Sequence, residues 1–398
     1  MARSVLFLDT YYFSLLESLG LERVPNGVAD YAEELVRALD FGFGTGGAYA
    51  RNMRTLGWDA QVIVPNSLTL QLLWARDHGD RRPWTRGWKY GPHLARLPVA
   101  NRLLHVVPHL HGVLLEQIAR LKPDVVYVQD INLLPPALSM RIRAQTKLLV
   151  GEIASPLPPT PFVRAYDHLV SALPSIVERA HQLGIPATGI PLGFDERWAT
   201  VSPASSRPID AAFIGSFSRL QPQTVPLMRA VATLVPGLRI YGPADDKFLR
   251  QNGLIDNYHG PAWGREMFGI LGQSKMVINR HGTIAGDYAV NMRMYEATGS
   301  GAALITEDKS TLGELFVPGQ EVVAYTDPQD AATKAAALLA DPTRLDRIAL
   351  AGQERTLSTH TYAARARVLD GLLITLLSEQ HSKSAVGRAR RPRATSPS

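Results

Sequence analysis

The stretch "VNMRMYEATGSGAALITED", residues 290–308, decides how the chain is read. As a helix it puts Arg293 and Glu296 three residues apart on one face. Gly299 and Gly301 are the residues that stop such a helix. The apolar run "AALIT" that follows, at 302–306, reads as a short buried strand. The stretch is therefore one αβ unit, with a charged pair on a helix that ends abruptly at a sheet. The plain account of the pair is a surface salt bridge. The other account is a site, and the rest of the chain bears on that choice.

Working outward, the same alternation recurs on both sides. Towards the N-terminus of the second half, "IDAAFIGSF" (209–217), "LRIYGP" (238–243) and "KMVINRHG" (275–282) read as strands, with helical patterns between them. "EVVAYTD" (321–327) is a late strand, and helices fill the chain to about residue 380. The first half opens on "SVLFLD" (4–9), a buried strand ending at an acid. Strands follow at "DAQVIVPN" (59–66), "DVVYVQD" (124–130), "KLLVGEIAS" (147–155), "HLVSALP" (168–174) and near 187. Proline-rich "VSPASSRP" (201–208) reads as a linker. The expectation is an α/β protein of two facing Rossmann-like domains, over residues 1–200 and 201–360. A helix over 361–380 and a disordered basic tail over 381–398 complete it.

Composition narrows the function. The chain has 398 residues, 45% hydrophobic and 20% charged, enough for two ordinary cores. It has no cysteine, which excludes disulfides and thiolate metal sites and fits a reducing compartment. The first apolar run is too short for a signal peptide, and no run has the length of a membrane span, so a cytoplasmic protein is expected. The net charge of +6 owes most to Lys383, Arg388, Arg390, Arg391 and Arg393 in an acid-free tail. The body is nearly neutral and shows no basic stripe with interleaved aromatics, so nucleic acid is not the expected partner. "DRRPWTRGWKYGPHLAR" (80–96) is basic and aromatic. It reads as a surface loop, with plain packing, acceptor binding and weak peripheral membrane contact all open.

In open αβ sheets, ligands bind beyond the carboxyl ends of the strands. In the second half those positions hold Gly215-Ser216 with Arg219, then Tyr241-Gly242, then Arg280-His281-Gly282, then Asn291, Arg293 and Glu296. Glycine admits a ligand to the backbone, arginine neutralises a diphosphate, and a carboxylate accepts from sugar hydroxyls. Together they form a set that suits a nucleotide-diphosphate sugar, with no cofactor. In the first half, Gly42-x-Gly44-x-x-Gly47 matches the dinucleotide fingerprint in form only, because helix rather than strand precedes it. His105, His109 and His111 lack the spacing and the third ligand of a metal site, so none is expected.

At these residues a family resemblance becomes usable. "NMRMYEA" (291–297), the small-glycine turn after it, "ELFVPGQE" (314–321) and "HTYAAR" (360–365) resemble the C-terminal module of CgeB-like (spore maturation protein type) GT-B glycosyltransferases. "AAFIGSFSR", "MVINRHG" and "FGTGGAYARNMRTLGWDAQVIVPN" resemble earlier parts of the same proteins. The resemblance implies a GT-B architecture whose last helix crosses back to the first domain, and a metal-independent transfer of sugar from a nucleotide-diphosphate donor. It puts Glu296 on the donor ribose and Arg293 by the diphosphate, helped by Arg219, Gly215 and Gly46-Gly47. His281 would bond a phosphate or the sugar. Asp130 and Glu152, at strand ends of the first domain, are the candidate bases for an acceptor hydroxyl on a glycan, lipid, protein or small molecule. One departure stands out: where the motif has a second glutamate, this chain has Tyr288 beside Asp287. That leaves the stereochemistry open. It also keeps two alternatives in view, a non-catalytic sugar- or partner-binding protein and a nucleotide-sugar epimerase.

Overall fold

The computed structural model describes residues 3–23, 29–79, 106–217 and 223–389. Arg219, the stretch 80–96 and the end of the tail lie outside the described residues. The first part runs β1 (Ser4–Leu8), α1 (Phe13–Leu19), α2 (Tyr31–Asp40), α3 (Gly46–Thr55), β2 (Asp59–Ile63), α4 (Leu68–Asp77), α5 (Val106–Leu121) and β3 (Val125–Val128). It continues with α6 (Pro136–Arg143), β4 (Leu148–Glu152), α7 (Thr160–Val163), β5 (His168–Ser171), α8 (Pro174–Gln182) and β6 (Ala187–Gly189). The second part runs β7 (Ile209–Ile214), α9 (Thr224–Leu234), β8 (Leu238–Tyr241), α10 (Asp246–Gln251), α11 (Gly264–Gln273) and β9 (Ser274–Ile278). It ends with α12 (Met292–Gly299), β10 (Ala303–Glu307), α13 (Leu312–Leu315), β11 (Val323–Tyr325), α14 (Pro328–Leu339), α15 (Pro342–Thr359) and α16 (Tyr362–Ala389).

The strands form two all-parallel sheets, ordered β2-β1-β3-β4-β5-β6 and β11-β10-β9-β7-β8. Every residue of β3 is buried, as a strand covered by helices on both faces requires. In each sheet the first strand lies inside, and the chain then proceeds to either side of it. The order therefore switches between β1 and β3, and again between β7 and β9. Those two points are where an open αβ sheet leaves a crevice beyond its carboxyl edge.

The two carboxyl edges face each other. Arg265 N, in the first turn of α11, donates to Phe41 O, just after α2, at 2.8 Å. Trp263 packs on Phe43 and on Tyr12, the latter in the loop after β1. Ala285, in the loop after β9, is buried in the first domain's core with Ile131 and Ile153. Here the sequence expectation of two facing Rossmann-like domains is met.

Helix α16 crosses back. Ala366, Leu369, Leu373 and Leu377 recur every three or four residues and bury against Val5, Phe7, Ala48 and Met53. Each of these leucines contributes about 2 kcal/mol by removal from water. Trp58 Nε1 donates to Asp370 Oδ1 at 2.7 Å and fixes the helix along its length. Phe194 exchanges backbone bonds with His360 and Tyr362, so the outgoing linker and the returning chain run side by side. The helix continues to Ala389 rather than ending near residue 380, so the first part of the expected disordered tail is helical.

Candidate active site

The opening stretch folds as read. Asn291 Oδ1 caps α12 by accepting from Arg293 N at 2.7 Å, and Gly301, at φ 76°, turns the chain into β10. The charged pair is not a surface bridge. Arg293 Nη1 lies 2.7 Å from Glu296 Oε2, with side chains only 16% and 10% exposed. Arg293 Nε also donates to Ile214 O at 3.3 Å, at the end of β7. The guanidinium expected beside a diphosphate is thus engaged within the protein, holding Glu296 to the switch point.

Beyond β7 the backbone is closely packed against the end of β8. Gly215 N donates to Tyr241 O, and a Cβ on Gly242 would lie 1.9 Å from Gly215 O. Beyond β9, Asn279 is buried and donates through Nδ2 to Thr306 Oγ1. Arg280 O accepts from Asn291 Nδ2 at 2.8 Å, which ties this loop to the start of α12. In the Arg280 side chain Nε and Nη1 are buried without a hydrogen-bond partner, as is Nδ1 of the adjacent His281. His281 N donates to Glu307 Oε2 at 2.6 Å, and its Nε2 meets Thr306 Oγ1 at 3.2 Å. Burial lowers the His281 pKa, so its ring is neutral around pH 7. Gly282 opens onto space, with only the Ile284 side chain within reach of an added Cβ. Ser216 is half-buried in the loop after β7.

The first-domain edge supplies three carboxyl groups. Asp130 accepts from Asn132 N and Nδ2, both at 2.9 Å, and so caps the 3-10 turn after β3. Glu152, at the end of β4, accepts from the Tyr127 hydroxyl at 2.9 Å. Burial pushes its carboxyl up to about 7, against that hydrogen bond and with repulsion from Asp9 and Asp130. The third carboxyl was not singled out from sequence. Asp9, at the end of "SVLFLD", is 3% exposed and accepts from Thr10 N and from Gly46 N, at 2.9 and 3.1 Å. Burial pushes it up to about 7 as well. A Cβ on Gly44 or Gly46 would strike this carboxylate, so the glycines of "GFGTGG" admit Asp9 beneath the loop. Gln129, at the end of β3, donates to Thr45 Oγ1 from the other side. The signal available in the sequence was an acid at a strand end together with a glycine loop. Gly42 and Gly44 follow α2, not a strand, so the nominal dinucleotide fingerprint has the wrong setting.

The structure thus brings Gly46 near Asp9 on one edge, and Gly215, Arg280, Asn291, Arg293 and Glu296 together on the other. Asp130 caps the turn after β3. Among the described residues, no group of three or more His, Asp or Glu is placed to hold a metal ion. Also among them, no helix is long and apolar enough to cross a membrane.

Residues 223–370 match the family described as Glycosyl transferase-like. No curated protein is significantly similar to the chain. Among solved structures, HepE of Anabaena, in complex with UDP and glucose, aligns over 94% of this chain and 100% of its own, at 14% identity and a TM-score of 0.60. Sucrose-phosphate synthase of Thermosynechococcus elongatus aligns over 95% and 100%, at 13% identity and a TM-score of 0.59. A glycosyltransferase of Rickettsia africae aligns over 94% and 99%, at 12% identity and a TM-score of 0.58. The chain has the GT-B fold.

Proposed function

We propose that the protein is a metal-independent glycosyltransferase of the CgeB-like kind, moving a sugar from a nucleotide-diphosphate sugar to an acceptor hydroxyl between the two domains. The observation that carries this reading is the buried Glu296, held by Arg293 at the β7–β9 switch point beside the closely packed backbones of Gly215 and Gly242. The fold shared with HepE, which is seen with UDP, supports the same reading.

In this reading Glu296 accepts from the donor ribose, and Arg293 orients it. The bond from the anomeric carbon to the phosphate oxygen breaks, and its electron pair leaves on the diphosphate. The acceptor oxygen forms the new bond and gives up its proton. Glu152 is better suited to take that proton than Asp130, whose carboxylate is engaged by Asn132, because its raised value poises it near neutrality. If transfer retains configuration, the leaving phosphate takes the proton instead.

A second reading, a donor-binding protein without transfer, is motivated by half-buried Tyr288 where the motif has a glutamate. A thermal-shift screen of UDP-, GDP-, dTDP- and ADP-sugars tests the donor site, since a ligand of the folded state raises the midpoint. A rise with one nucleotide that is lost in Glu296→Gln supports it. A folded protein that responds to none of the four sinks it. Release of free nucleotide diphosphate on adding an acceptor then separates transfer from binding alone.

A further inference from the structure

We propose that Arg280 holds the diphosphate of the donor; this rests on the nucleotide-sugar reading above and gives the leaving group its cation. Among the described residues Arg280 makes no ion pair, and its buried Nε and Nη1 have no acceptor. The other shielded arginines differ from it in having acceptors. Arg207 donates through Nη1 and Nη2 to the carbonyls of Ser274, Ser300 and Ser202, and only its Nε is left without a partner. Arg365 donates to those of Leu192 and Thr359 and meets His360 Nδ1. Arg293 has Glu296 and Ile214 O. A shielded guanidinium without acceptors is a costly arrangement, and an anion from outside the chain relieves it.

The nearest acid on the neighbouring strand does not serve. Glu307 Oε2 is taken by His281 N at 2.6 Å, and its carboxylate forms no ion pair with Arg280. Position then selects the diphosphate. Arg280 lies two residues past β9, at the switch point, and its carbonyl is tied through Asn291 to the first turn of α12. From that turn Arg293 reaches Ile214 O, next to Gly215. The phosphates of a donor whose ribose meets Glu296 must cross this same loop cluster, where Gly282 leaves open space. Among the described residues of this cluster, Arg293 is engaged through Nε and Nη1, and Arg280 is the guanidinium with no internal acceptor, free to meet the charge that develops on the leaving group.

The test titrates the full chain, as wild type, Arg280→Gln and Arg280→Lys, with UDP, GDP, dTDP and ADP, each paired with its own nucleoside. Arg280→Gln should weaken the diphosphate that binds by about tenfold or more, the size of a lost charge-assisted bond. Nucleoside affinity should stay within about twofold, and Arg280→Lys should recover part of the loss. The ligand-free midpoint of Arg280→Gln should not fall, because no internal bond is removed. Diphosphate affinity equal to wild type overturns the inference while leaving the donor reading intact. So does a loss shared equally by nucleoside and diphosphate. A wild type that binds neither kind of ligand overturns both together.

Discussion

Arg293 and Glu296, one turn apart on α12, form an ion pair at 2.7 Å whose side chains are 16% and 10% exposed. The pair is shielded enough that neither charge is well hydrated alone. Arg293→Ala leaves the Glu296 carboxylate without its cation and should cost about 2–3 kcal/mol. Glu296→Gln keeps a neutral acceptor opposite Arg293, which still has Ile214 O, and should cost about 1 kcal/mol. Replacing both, as Arg293→Ala with Glu296→Gln, should cost less than the two single changes combined. Urea unfolding reads this as a shift of midpoint at constant slope. Strictly additive losses would mean that the pair is not coupled.

Asp9 makes folding depend on pH in a defined direction. Its carboxyl lies at about 7 in the folded protein, well above the ordinary carboxylate range, because burial outweighs the bonds from Gly46 and Thr10. Between about pH 4 and 7 the folded state therefore holds a proton that the unfolded chain has lost. Stability from this group is greatest at the acid end of that window and falls as pH rises through it. Glu152, also raised to about 7, acts in the same sense. The buried histidines His168, His281 and His360, whose values are lowered, act in the opposite sense. The difference between wild type and Asp9→Asn isolates the one group. The stability of wild type minus that of Asp9→Asn should fall as pH rises from about 4 to 7 and level off above it. A difference independent of pH would show an ordinary Asp9 carboxylate.

The elements were legible because each core strand is a short apolar run between turn residues, and because α12 carries its own cap and stop in Asn291 and Gly301. The residues gathered at the second sheet's carboxyl edge were legible too, since the chain itself places a polar or glycine residue after each strand. What could not be read is pairing at a distance. Asp9 meets Gly46 across 37 residues, and Phe41 meets Arg265 only once the two sheets face each other. The same limit hid the engagement of Arg293, whose spacing from Glu296 predicts proximity but not burial. The helix end is hidden in the sequence for a different reason. Acid-free composition after 380 reads as solvated chain, yet a formed helix propagates at little cost per residue, and the next proline, Pro392, lies beyond Ala389.

Two glycines of the second domain should respond in opposite ways to one added methyl. Gly242 sits at φ 136°, with Gly215 O only 1.9 Å from where a Cβ would be. It cannot swing aside, because its N donates to Gly260 O at 3.0 Å and its carbonyl accepts from the Tyr258 hydroxyl at 2.8 Å. Gly242→Ala should therefore cost about 3 kcal/mol or more, through backbone strain and displacement of Gly215. Any midpoint rise given by a nucleotide should fall with it. Gly269 lies exposed inside α11 with nothing near a Cβ. Gly269→Ala should gain about 0.5–1 kcal/mol, because alanine loses less backbone freedom in forming a helix. Paired thermal melts by circular dichroism compare the two variants. A Gly242→Ala protein that melts with the wild type would show that the loops after β7 and β8 are not in this close contact.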